Sequence, residues 1–278
     1  MTYRSPRLWL GAAGALLAAA TVSATPAMAA TQSTCVYNTS NKNLVVTDNS
    51  GANQLELGTD KAGVIRIADG PEAFVICRAP NLGTVARVTN TERIAVFAAP
   101  AQVAGGYTVN QSNGRFAPGA TPEADGSSEV EISLNTTGTP AQLTVIGTPQ
   151  RDVISVGTGG RVNFAYDLDA DIEPQTKPVR VIASAGVGND ELDSNGGGMF
   201  SLPADGPVDL RGDAGNDTLV GAGADNILRG GSDDDRIFAV NGHSDGLTGG
   251  TGFDRATTDK TENIPFGDIE QISVAAPF

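Results

Sequence analysis

Residues 212–238 read GDAGNDTLV, GAGADNILR and GGSDDDRIF, three nonapeptides in register. Each has Gly first, Asp or Asn sixth, and Leu or Ile eighth. The pattern runs on after one extra residue, Ala239, as VNGHSDGLT from Val240 and GGTGFDRAT from Gly249. Upstream it reads AGVGNDELD from Ala185. The eighteen residues between Asp193 and Gly212 end in PADGPVDLR, which puts Leu210 at the eighth place, so degenerate repeats are expected to continue through the gap. The eighth position reads Leu192, Leu219, Leu228, Ile237, Leu247 and Ala256.

Each unit divides into a turn, positions one to six, and a short strand, positions seven to nine. Gly in the turn tolerates positive φ and close backbone approach. In the strand the eighth side chain points inward and its neighbours outward. Two units make one coil of eighteen residues, and coils stack at about 4.8 Å. The interior is then a thin column of Leu and Ile, too small to hold the structure by burial alone.

The sixth position reads Asp190, Asp217, Asn226, Asp235, Asp245 and Asp254. Strict alternation puts Asp217, Asp235 and Asp254 on one edge of the stack. It puts Asp190, Asn226 (beside Asp225) and Asp245 on the other. Like charges about 5 Å apart repel by roughly 3 kcal/mol per pair at an effective dielectric of 20. A hard divalent cation between coils reverses that sign. Carboxylates and turn carbonyls supply the oxygen-rich shell that Ca²⁺ prefers. No thiolate or imidazole cluster favours a softer metal.

This segment resembles the RTX, or haemolysin-type, calcium-binding repeat family, whose motif is G-G-x-G-x-D-x-U-x. Gly249-Gly250-Thr251-Gly252-Phe253-Asp254 carries the fixed Gly and Asp residues, and Gly212 to Leu219 lacks only the second Gly. The resemblance implies a right-handed parallel β-roll with Ca²⁺ held between turns. The metal-site residues it implies are Asp190, Gly212, Gly215, Asp217, Gly221, Gly223, Asp225, Asn226, Gly230, Asp233, Asp235, Asp245, Gly249, Gly250, Gly252 and Asp254. This chain departs from the motif at Asn226, Asp233 and His243, and Ala239 is expected to interrupt the stacking. A few good sites are expected, not a long array.

Charge and glycine follow the repeats. The chain carries 32 acids against 18 Lys and Arg, a net −14. Residues 185–257 hold 13 of the acids and 4 Arg, and 17 of the 35 Gly. That sign excludes a dense basic nucleic-acid surface. One His and two Cys exclude a multi-histidine zinc site and a cysteine-rich scaffold.

Residues 1–29 read as a secretory signal peptide. Arg4 and Arg7 precede an apolar stretch from Leu8 to Ala20, and Ala27-Met28-Ala29 is a cleavage pattern. Secretion lets Cys35 and Cys77 pair. Residues 30–115 show short Val- and Ile-rich runs between polar turns, an all-β signal. Residues 116–128 are a loop or linker, 129–184 a strand region leading into the roll, and 258–278 a C-terminal cap. The expected fold class is all-β, and the N-terminal region is either a separate sandwich or a continuation of the solenoid.

Catalytic signatures do not emerge. H-E-x-x-H is missing from the sequence, and the one G-x-S-x-G, Gly242-His243-Ser244-Asp245-Gly246, lies inside the Gly-rich turn of a repeat unit together with the single His. The run Asp167-Leu168-Asp169-Ala170-Asp171 lacks the Gly and closing Glu of an EF-hand and reads as a solvated acidic turn. The expectation is a secreted, non-enzymatic calcium-binding protein, surface-associated or adhesive, with Ca²⁺ as its cofactor, no nucleic-acid partner, and no membrane span once the signal is removed. The alternative is a polysaccharide-active β-helix enzyme carrying a calcium-binding module.

Overall fold

The computed structural model describes residues 32–275 except 50–53, 71–72, 82, 99–105, 123–128, 137–141, 166–168, 196–201 and 260–267. The signal-peptide reading lies outside the described residues. Among them no helix is long and apolar enough to cross a membrane.

The described residues are all-β apart from one short 3₁₀ turn at Thr158–Gly160, and their strands form two large sheets. The first runs Thr34–Asn38, Asn43–Asp48, Arg93–Ala98, Glu131–Asn135, Ile172–Pro174, Val162–Asn163, Val153–Val156, Glu191–Asp193, Thr218–Val220, Arg236–Ala239, Arg255–Thr258 and Gln271–Val274. The second runs Gly246–Thr251, Ile227–Ser232, Val208–Ala214, Val181–Val187, Gln142–Ile146, Gly106–Asn110, Leu55–Thr59, Ile65–Asp69 and Val75–Ile76. From Val181 to Thr258 consecutive strands alternate between the sheets and pair in parallel with the strand one coil away.

The eighth position sets this register. Leu192, Leu219, Ile237, Ala256 and Ile272 are successive partners in the first sheet, and Ala183, Leu210, Leu228 and Leu247 in the second. Leu192, Leu210, Leu219, Leu228 and Leu247 are fully buried between the sheets. Burial of each such Leu contributes about 1.5–3 kcal/mol relative to exposure. Leu210 takes the expected place.

Ala239 does not interrupt the stacking. Its methyl is buried, and its backbone pairs with Thr258 at the end of a lengthened strand. The coil grows by one residue while the pairing of Leu228 with Leu247 is kept.

Both sheets run past residue 184 into the N-terminal region. Leu143–Ile146 pairs in parallel with Val181–Ser184, and Gly106–Asn110 with Gln142–Ile146. One buried cluster spans Tyr37 to Ile269. The N-terminal strands therefore continue the same two layers. Antiparallel hairpins close this end, Thr34–Asn38 with Asn43–Asp48 and Leu55–Thr59 with Ile65–Asp69. The Cys35–Cys77 disulfide ties Thr34–Asn38 to the residue after Val75–Ile76, the strand that pairs with Ile65–Asp69.

Candidate metal centre

The turns joining the second sheet to the first share a backbone shape. Their second position has positive φ at Gly186, Asp213, Gly231 and Gly250, and their fourth at Gly188, Gly215, Asp233 and Gly252. Asp tolerates the left-handed region better than most residues, so Asp213 and Asp233 keep the turn where the motif has Gly. Close approach of coils is the second demand. A Cβ on Gly215 would lie 1.6 Å from the carbonyl oxygen of Gly188 in the preceding coil. Gly215→Ala is therefore expected to cost at least about 2 kcal/mol in chemical denaturation. Gly242→Ala, with no atom within 4 Å, is the milder control; equal losses would contradict this reading of the turn.

The turns carry a ladder of carboxylates. The backbone N–H of Asp190 donates to Asp217 Oδ1 (2.7 Å), Asp217 N–H to Asp235 Oδ1 (2.8 Å) and Asp235 N–H to Asp254 Oδ1 (2.9 Å). Asp190 thus lies on the edge of Asp217, Asp235 and Asp254, not on the opposite edge. The reason is spacing: Asp190 and Asp217 are 27 residues apart, three units instead of two, so the chain adds an odd unit before returning.

The ladder also runs beyond the recognised repeats. Asp152 N–H donates to Asp190 Oδ1, and Asp254 N–H to Glu270 Oε2. Sequence reasoning missed both end rungs. A signal for Asp152 exists: Gly147, Asp152 and Ile154 occupy positions one, six and eight of GTPQRDVIS. For Glu270 the signal is weaker: Glu270 and Ile272 stand at positions six and eight, but Pro265 replaces the Gly at position one.

One oxygen of each central carboxylate accepts its backbone bond; the other does not. Oδ2 of Asp190, Asp217, Asp235 and Asp254 is buried without a hydrogen-bond partner, in side chains at most 3% exposed. A buried acceptor left unmade costs about 1–3 kcal/mol, and more when charged. At Asp217, Asp235 and Asp254 this oxygen faces a carbonyl across a space that only Gly leaves open. Asp217 Oδ2 and Gly230 O lie 2.1 and 2.6 Å from where a Cβ on Gly212 would sit. Asp235 Oδ2 and Gly249 O lie 2.2 and 2.6 Å from that point at Gly230. Asp254 Oδ2 and Asp268 O lie 2.4 and 2.3 Å from it at Gly249. Three cradles, at Gly212, Gly230 and Gly249, thus gather oxygen donors only. Among the described residues no three His, Cys, Asp or Glu side chains converge as a metal-binding group. A cation here would depend on backbone carbonyls as much as on carboxylates.

Burial, followed by the charge of neighbouring rungs, pushes the Asp217 and Asp235 carboxyls up to about 7. Burial also raises Asp190, Asp245 and Asp254. Asp209 behaves oppositely. It too is buried, which works against its charge, yet hydrogen bonds from Arg211 and Arg229 hold its carboxyl below the usual range. Asp217, Asp235 and Asp254 lack such a partner. A raised folded-state value means that the folded chain favours the protonated acid. That stability is fully present below the ordinary value near 4 and is lost as pH rises through about 7. Metal-depleted protein is therefore expected to melt higher at pH 5 than at pH 8. A midpoint that falls on acidification over this range would contradict it.

The other edge is built from amides. Asn226 N–H donates to Asp245 Oδ1, Asn226 Oδ1 accepts from Val208 N–H, and its Nδ2 donates to Ala222 O. Asp245 Oδ2 accepts from Asn241 Nδ2. Asp225 Oδ1 accepts from Ser244 N–H and lies 3.5 Å from His243 Nδ1. Gly221 and Gly223 border this edge, and its carboxylates have protein partners. A further ladder at position five was not foreseen: Asn189, Asn216 and Asp234 each accept a backbone N–H from the following coil.

Asp167 lies outside the described residues. Asp171 is buried rather than solvated and accepts the Phe164 N–H through Oδ2. No family model, no curated protein and no solved structure matches this chain.

Proposed function

We propose that the chain is a secreted, non-enzymatic calcium-binding protein of the RTX type, whose C-terminal coils form a right-handed parallel β-roll stiffened by Ca²⁺ along one edge. The observation that carries this reading is the set of buried, unpartnered carboxylate oxygens at Asp217, Asp235 and Asp254, each beside a carbonyl of a neighbouring coil. Neutral donors do not reach them, and all the surrounding donor atoms are oxygens, the set a hard cation takes. The opposite edge, completed by Asn226 and Asn241, needs no ion.

Such cradles couple metal to folding. Oxygens that repel in the bare coil become ligands, so binding free energy is folding free energy. At extracellular calcium, sites of roughly 10⁻⁴–10⁻³ M affinity fill, while cytosolic levels leave them empty. The repeats then order after export and serve as a stiff surface or adhesive module. Circular dichroism with chelator and with millimolar calcium tests this. The expected result is a gain of β signal and of melting temperature with calcium, and an unchanged spectrum and midpoint would refute it.

A further inference from the structure

The first rung differs from the ones that follow. Gly147 opens a cradle like that of Gly212: Ala185 O and Asp152 Oδ2 lie 2.4 and 2.7 Å from where its Cβ would sit. Here, however, the carboxylate is fully engaged. Thr148 N–H donates to Asp152 Oδ2 (2.6 Å), and the Thr148 hydroxyl lies 3.0 Å from both oxygens. Arg115 Nη2 contacts Asp152 Oδ1 at 2.8 Å and also donates to Arg151 O.

The difference traces to position two of the turn. Gly186, Asp213, Gly231 and Gly250 hold positive φ there, whereas Thr148 does not. An ordinary φ goes with the Thr148 N–H pointing at Oδ2. In the later turns that oxygen is left without a donor. The guanidinium comes from residue 115, beside the polar segment between strands, and supplies the positive charge.

We propose that Thr148, at Oδ2, holds the place of a divalent cation at the first rung while Arg115, at the Oδ1 that no preceding rung occupies, supplies the charge, so that Asp152 marks a latent calcium site that the protein fills with its own groups. This rests on the calcium reading of the later rungs. The coil thereby gains a starting edge that is complete without metal, on which the calcium-dependent coils stack.

The test compares calcium titration calorimetry and thermal melts of the wild type, Arg115→Gln, and the double variant Arg115→Gln/Thr148→Gly, in chelator and in millimolar calcium. The double variant is expected to bind one more calcium than wild type. Its midpoint is expected to fall in chelator and to recover most of that loss in calcium. Arg115→Gln alone, which keeps Thr148, is expected to lose more in chelator than in calcium, and it serves if the double variant does not fold. Arg115→Lys, which keeps a cation, is expected to bind no extra ion. If wild type binds calcium but the variants gain no site and lose equally in both conditions, the latent site is wrong and the calcium reading stands. If no form binds calcium, both fall.

Discussion

Asp217→Asn/Asp235→Asn is expected to be more stable than the wild type in chelator and less stable in calcium. The inversion follows from the two oxygens of each rung. An Asn keeps an Oδ1 to accept the backbone N–H of the preceding rung, as Asp217 and Asp235 do for Asp190 and Asp217. Its Nδ2 replaces a buried, unpartnered oxygen that faces the carbonyl of Gly230 or Gly249, and becomes a donor to it. Asn226 already works this way on the opposite edge, with Oδ1 on Val208 N–H and Nδ2 on Ala222 O. Two buried charges vanish from the metal-free state, which raises its midpoint by about 2–4 °C for each kcal/mol relieved. In calcium the variant forfeits two ligand carboxylates. In millimolar calcium a site of about 10⁻⁴ M affinity stands at roughly tenfold its dissociation constant and contributes about 1.4 kcal/mol, so two lost sites remove roughly 3 kcal/mol. Melts of both proteins in both conditions check the prediction. Parallel shifts of the same sign in chelator and calcium would show that the rungs serve the ladder alone.

Cys35→Ser/Cys77→Ser is expected to lose roughly 4 kcal/mol, the chain-entropy value for a loop of this length, in calcium and in chelator alike. The bridge ties the antiparallel closure at the N-terminal end, where Cys77 is buried against the same core that the repeats extend. None of the ladder carboxylates touches it, so calcium stoichiometry should be unchanged. Denaturant unfolding measures the loss. A change below about 1 kcal/mol, or one that calcium abolishes, would contradict the assignment of this end as a metal-independent closure.

The strands of the repeats were legible because their core is one residue deep. A single Leu or Ile per nonapeptide fixes the inward face, and Leu210 could be placed although Pro203 stands first in its unit in place of Gly. The edge assignment failed at Asp190 because strict alternation assumes two units per coil, whereas Asp190 and Asp217 lie one coil apart across three. Ala239 was misjudged for a related reason. A small residue at a strand end can enter the core and lengthen a coil instead of breaking it. The candidate site was readable to the level of residue type. Which edge offers bare oxygens was not, since Asn241 completes Asp245 from the second position of its unit, where the motif has Gly. Arg115 lies 37 residues from Asp152, and only the three-dimensional fold brings the two together.

Calcium titration calorimetry of the metal-depleted chain, with magnesium as the competitor, tests the central claim most directly. The cradles at Gly212, Gly230 and Gly249 predict saturable binding of about three calcium ions that millimolar magnesium does not displace. Titration without saturable heat, at calcium concentrations up to several millimolar, would contradict the account.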